Sequence, residues 1–176
     1  SATLRTAGEE FSMALYLLGV KPIWKFGSDR VDGIEIITLA ELGRPRVDVT
    51  LRVSGLFRDT FQSQIKLYNQ AIDTLSNRYE DKSENPFLNN PDKFRIFGPK
   101  PGNFGINISS VVKDFSQTNR EKFGEAWIES SAWSIIGDKT FYNKKGIQNR
   151  VKEISSYIHI QDLKETDILL SADYAK

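Results

Sequence analysis

Arg46-Val47-Asp48-Val49-Thr50-Leu51-Arg52-Val53-Ser54-Gly55-Leu56-Phe57-Arg58-Asp59 is the stretch from which the fold is read. Val47, Val49, Leu51 and Val53 alternate with polar residues, the period-two pattern of a strand with one buried face. Ser54 and Gly55 break the alternation, and a helix is predicted over 61–78. There Phe61, Ile65, Tyr68, Ile72 and Leu75 recur at i, i+4, i+7, i+11 and i+14, one continuous apolar stripe. Asp59 is placed to cap this helix, with Gln62 three residues on as its reciprocal partner. In open α/β sheets ligands collect where the carboxyl end of a strand meets the next helix, and Ser54, Gly55, Arg58 and Asp59 stand there. Two readings fit Arg58. It offers a bidentate fork for a carboxylate, or it and Asp59 pair with each other and cap the helix.

Working outward, Phe11, Leu15 and Leu18 share one face of a helix over 7–18 that Gly19 stops. Lys21 to Phe26 and Gly33 to Thr38 read as two strands across a turn at Gly27-Ser28-Asp29-Arg30. Asn85-Pro86 and Asn90-Pro91 bracket a polar loop, because a residue before proline avoids the helical region. Phe94 to Phe97 reads as a short strand. It runs into Gly98-Pro99-Lys100-Pro101-Gly102-Asn103-Phe104-Gly105, from which a helix over 106–115 departs. Further helices are expected at 120–136 and 140–154, and a last strand at 157–160. Strands alternating with helices predict one α/β domain over 1–176, a layered sheet with helices packed on it.

The 98–105 loop follows a strand and precedes a helix, a context suited to an anion. It is neither a Walker loop nor a dinucleotide fingerprint, and its two prolines remove donors that a phosphate nest needs. It reads either as a shaped turn presenting Lys100 and Asn103 or as a plain loop. His159 reads as a structural or solvated residue on an alternating strand, a ligand role requiring Asp162 or Glu165 nearby. Trp127 and Trp133 are assigned to core packing. Lys139, Lys144, Lys145, Arg150 and Lys152 are expected to line a solvated helix face.

Composition limits the chemistry. The 176 residues carry 24 Lys and Arg against 23 Asp and Glu, so a net charge of +1 provides no field for nucleic acid or an anionic membrane. The absence of cysteine excludes a disulfide scaffold, a thiolate zinc site, an iron–sulfur cluster and a cysteine nucleophile. One histidine makes a multi-histidine metal site implausible. Neither an 18-residue apolar run nor a signal-peptide pattern is present, and the chain reads as soluble and cytoplasmic. The first residue is not Met, and the single Met is Met13, so an excised segment of a longer protein is expected.

The string Gly43-Arg44-Pro45 through Thr60-Phe61 resembles the large subunit of cobaltochelatase and its relative in magnesium chelatase. Thr3 to Glu10 with Leu17-Leu18-Gly19-Val20, Phe94 to Gly102, and Gln161-Asp162 through Asp173-Tyr174 agree with it. Gly98-Pro99-Lys100-Pro101-Gly102 is more similar to the cobalt branch. The resemblance implies a tetrapyrrole-binding subunit whose separate AAA+ partners hydrolyse ATP to drive insertion of Co2+, or of Mg2+ in the other branch. It also implies that the family's metal-handling residues and a strand ahead of Thr3 lie outside this chain, leaving a sheet edge open. No catalytic residue, metal ligand or resident cofactor is assigned here.

Three functions follow. In the first, Arg58, Lys100, Ser54 and Asn103 meet the periphery of a corrin precursor, hydrogenobyrinic acid a,c-diamide. In the second, the same loops and the basic 139–152 face dock the AAA+ motor. The third, a free-standing enzyme for small anions, lacks a recognisable catalytic pair.

Overall fold

A computed structural model of the chain describes residues 8–27, 31–90, 92–103 and 120–158. The first helix, α1 (Glu9–Leu18), ends at Gly19, whose φ of 79° suits glycine and whose N–H returns to the carbonyl of Tyr16 at 2.9 Å. An antiparallel hairpin follows, β1 (Val20–Trp24) and β2 (Val31–Ile36), in register Val20 to Ile36 and Lys21 to Glu35. A one-turn helix α2 (Leu39–Leu42) precedes the decisive stretch.

That stretch yields β3 (Leu51–Arg52), then α3 (Gly55–Thr60) and α4 (Gln62–Ser76). The predicted strand over 46–53 therefore enters a ladder only at its far end. Its first half donates elsewhere: Arg46 N to Glu84 O at 2.8 Å and Val47 N to Leu17 O at 3.1 Å. The helical stripe is as expected, with Ile65, Tyr68, Ile72 and Leu75 buried and Phe61 packed against the core. The predicted cap is corrected. Asp59 lies in the last turn of α3, and Ser54 caps α3 by accepting from Phe57 N at 3.1 Å.

The sheet is completed by β4 (Ile96–Gly98), β5 (Trp133–Ile136) and β6 (Lys139–Tyr142), in order β3-β4-β5-β6. β3 and β4 are parallel, and the other pairs are antiparallel. Two helices flank the last hairpin, α5 (Arg120–Ser130) and α6 (Lys144–Glu153). The helices predicted at 120–136 and 140–154 are thus each shortened by a strand. Gly137-Asp138 forms a two-residue turn, with Ile136 opposite Lys139 and Gly137 at φ 60°. Asn143 caps α6 by accepting from Gly146 N at 2.9 Å. Tyr157 and Ile158 are exposed and belong to no strand; the predicted helix at 106–115 and residues His159 and Ile160 lie outside the described residues.

Successive strand residues point to opposite faces, so β4 feeds two cores. Ile96 joins Leu15, Leu18, Phe57, Ile65, Tyr68, Leu75 and Phe87 on the face covered by α1 and α4. Phe97 joins Ala132 and Ile147, with Trp127 and Ile128 packed beside them, under α5 and α6. The result is an α/β fold with helices on both faces of a mixed sheet.

Two buried ionic clusters fasten these layers. Arg46 donates Nε and Nη2 to Glu80 at 2.8 and 2.7 Å, and Nη1 and Nη2 to the carbonyls of Leu18, Gly19 and Ile37 at 3.1, 3.1 and 2.8 Å. A Cβ on Gly19 would overlap Arg46 Nη1, so this crossing tolerates only glycine. In the second cluster Asp48 receives Arg95 Nε at 2.6 Å and Arg150 Nη1 at 2.9 Å, and Asp92 receives Arg150 Nη2 at 2.8 Å.

The Arg46 hydrogen bonds, with help from Arg78 and Asn85, hold the Glu80 carboxyl down at about 2, against an ordinary value of 4.5. Because the folded value is the lower one, Glu80 contributes its full stabilisation above pH 4.5, and the contribution is lost as pH falls toward 2. The loss is on the order of 3 kcal/mol. Thermal unfolding between pH 6 and pH 2.5 should show a steeper fall in Tm for the native chain than for Glu80→Gln. Parallel curves would contradict it.

Candidate functional site at the ends of two parallel strands

Because β3 and β4 run parallel, their carboxyl ends open at the same edge of the sheet. β3 continues through Ser54 into α3, and β4 continues into Pro99-Lys100-Pro101-Gly102-Asn103. The two loops singled out in the sequence are therefore neighbours. Gly98 makes the close approach possible, since a Cβ there would sit 3.1 Å from Val53 O and 3.3 Å from Val53 Cγ2.

Arg58 ties the loops together. Its Nη1 donates to Pro99 O at 2.8 Å and to Lys100 O at 3.1 Å, while Nε and Nη2 donate to the two oxygens of Asp59 at 2.7 and 2.9 Å. Arg58 is buried and Asp59 exposed. The hydrogen bond from Arg58 holds the Asp59 carboxyl below the usual carboxylate range. Both edges of the Arg58 fork thus find partners within the chain; the pairing with Asp59 is that of the second reading, and the cap in that reading is not formed.

Beyond Pro99 the loop closes as a β-turn. Asn103 N donates to Lys100 O at 2.9 Å, Pro101 takes the second position and Gly102, at φ 87°, the third, which is the type II pattern. Lys100 and Asn103 occupy the first and last positions, and both are exposed. Of the four residues expected at the site, Lys100 and Asn103 present their side chains to solvent. Arg58 is buried within the corner, and Ser54 accepts the capping hydrogen bond of α3. What this arrangement can do is fix the backbone from which a lysine and an asparagine side chain reach into solvent at the rim of the sheet.

Other candidates separate from this corner. Arg150 does not join a solvated basic face but is buried against Asp48 and Asp92. Lys144 pairs with Glu129 at 3.0 Å, and Lys139 stands on β6; Lys145 and Lys152 are exposed. His159, Asp162 and Glu165 lie outside the described residues. An open cleft of about 450 Å³, lined by Lys66, Asn69, Gln70, Asp73, Thr74, Asn77, Ile136 and Gly137, contains none of the four expected site residues. The ionic residues Arg46, Asp48, Glu80, Arg95 and Arg150 were missed as a group, because charges at the polar positions of an alternating strand read as its solvent face.

The fold defines an α/β unit with a two-loop corner beyond the carboxyl ends of two parallel strands. The chain belongs to the CobN/magnesium chelatase family, whose sequence profile matches residues 1–176. It is 34% identical to the aerobic cobaltochelatase subunit CobN of Pseudomonas aeruginosa, over 99% of this chain and 16% of that protein. An uncharacterised protein of Methanocaldococcus jannaschii is 35% identical over the same shares. The chloroplastic magnesium-chelatase subunit ChlH of Oryza sativa subsp. japonica is 27% identical over 77% of this chain and 11% of its own length. Among solved structures, the catalytic subunit of cobaltochelatase from Mycobacterium tuberculosis superposes with a TM-score of 0.74 at 27% identity, over 87% of this chain and 14% of that one. The chain thus spans about a sixth of the length of the curated relatives it matches. Among the described residues no helix is long and apolar enough to cross a membrane.

Proposed function

We propose that this chain is one segment of the tetrapyrrole-binding large subunit of an ATP-dependent cobaltochelatase, a cytoplasmic ligase of cobalamin biosynthesis. In this reading the whole subunit inserts Co2+ into hydrogenobyrinic acid a,c-diamide while partner AAA+ subunits hydrolyse ATP. The observation that carries the cobalt assignment is the contrast in likeness: 34% identity over 99% of the chain to a cobaltochelatase subunit, against 27% over 77% to a magnesium-chelatase subunit. The segment itself holds no catalytic role. It shapes part of the substrate surface, with the Lys100 ammonium meeting a peripheral carboxylate, Asn103 adding a polar contact, and Arg58 and Ser54 positioning the loops that carry them.

The test is binding of the corrin precursor to the whole subunit, followed by tryptophan fluorescence. Lys100→Ala should raise Kd about tenfold by removing one charge-assisted contact. Arg58→Ala should weaken binding at least as much, because it releases the Lys100 loop, and Arg58→Lys should not restore it. Unchanged affinity in both would remove the corner from the substrate site. A second reading, docking of the AAA+ motor, draws on the exposed Lys145 and Lys152 of α6. Normal precursor binding with impaired motor association in the Lys100 and Arg58 variants would favour it.

A further inference from the structure

The β1–β2 hairpin is a two-stranded sheet of its own, packed on the core at its base and carrying exposed apolar side chains farther along β1. Val20 is buried, and Ile34 and Ile36 pack on the core, whereas Ile23, Trp24 and Phe26 are 46%, 58% and 102% exposed. Gly33 stands opposite Ile23 in the register, so no cross-strand side chain shelters it. The ladder is also irregular between Ile23 and Trp24. Two exposed aromatics and an exposed isoleucine so close in the chain form the kind of anchor that fills a pocket on a partner.

We propose that this stretch is an internal docking element: Ile23, Trp24 and Phe26 insert into an apolar depression on the remainder of the same polypeptide. The inference rests on the reading of the chain as a segment of a large subunit, whose relatives are about six times as long. Area favours this occupant over a second copy. A stable interface between separate chains buries about 1,200–2,000 Å² in total, and three side chains supply only a few hundred. Within one polypeptide a small anchor suffices, because tethering raises its effective concentration.

The experiment uses the full-length subunit. Hydroxyl-radical footprinting should oxidise Trp24 and Phe26 at least about tenfold more slowly in the native subunit than in the urea-unfolded one. Photoactivated p-benzoylphenylalanine at position 26 should cross-link to a peptide of the same chain outside residues 1–176. Oxidation at the unfolded rate, a cross-link between two subunits, or an adduct with added phospholipid vesicles in place of a same-chain product would each overturn the proposal. The two readings fail separately. A subunit that inserts Co2+ yet leaves the stretch unprotected refutes the docking alone, and a protected stretch in a subunit without tetrapyrrole affinity refutes the proposed function alone.

Discussion

Arg46→Met is expected to destabilise the chain by about 3–5 kcal/mol, because it strips a buried carboxylate of its main partner. The Arg46 side chain is wholly buried and that of Glu80 nearly so, with 7% of its surface exposed. Methionine fills much of the volume but leaves Glu80 with Arg78 and Asn85 alone. It also leaves the carbonyls of Leu18, Gly19 and Ile37 without the guanidinium that donates to them as a group. Arg46→Lys should recover little, since one ammonium cannot reproduce a planar fork facing five acceptor atoms. At roughly 2–4 °C per kcal/mol for a chain of this size, Tm should fall by about 10 °C. Adding Glu80→Gln to Arg46→Met should return part of the loss, because the unpaired charge is then gone. A fall of only a degree or two would mean that water replaces the arginine at little cost.

Asp48→Ala should be comparably damaging, again about 3–5 kcal/mol, through the opposite charge. Arg95 and Arg150 are 1% and 8% exposed, and Asp48 is the carboxylate they share. Arg95 Nη2 and Arg150 Nε already lack acceptors, so without Asp48 Arg95 keeps only the carbonyls of Asp92 and Phe94, and Arg150 only the carboxylate of Asp92. Asp48→Asn preserves shape and one acceptor oxygen and should cost less. The cluster joins residues 102 positions apart, so its loss should release α6 preferentially. Urea unfolding followed by circular dichroism measures the first effect, and limited proteolysis within residues 144–153 measures the second. Native-like resistance of α6 in Asp48→Ala would show that Asp92 and the apolar contacts of Ile147 hold it unaided.

Local patterns carried the elements whose reasons are local. Gly19 ends α1 because its own backbone must turn left-handed, and the Phe61–Leu75 stripe is legible because helix period and burial coincide. The β5–β6 hairpin was hidden because Trp127 to Ile136 reads as one apolar-rich helical run. The sign that contradicts it, Gly137-Asp138, lies just beyond the run. Arg46 and Asp48 looked like the solvent side of an alternating strand. Only partners 34 and 102 residues away, Glu80 and Arg150, turn those positions into buried clamps, and no spacing rule reaches that far. At the corner, sequence marked both loops but not their meeting, which depends on β3 and β4 being parallel neighbours. Arg58 was singled out with two readings open, and its burial was not foreseen because the carbonyls that bury it, Pro99 and Lys100, lie 41 and 42 positions away.

Lys100 stands between Pro99 and Pro101, and the turn beyond it closes on Gly102. Both prolines fix their own φ, and Pro101 further confines Lys100 to extended backbone. Much of the freedom this loop would otherwise surrender on meeting a ligand is already absent in the unfolded chain. The corner is therefore a bracket whose shape is preset by its own sequence. In the proposed function a rigid macrocycle would meet a rigid bracket, and the contact would cost little motion on either side.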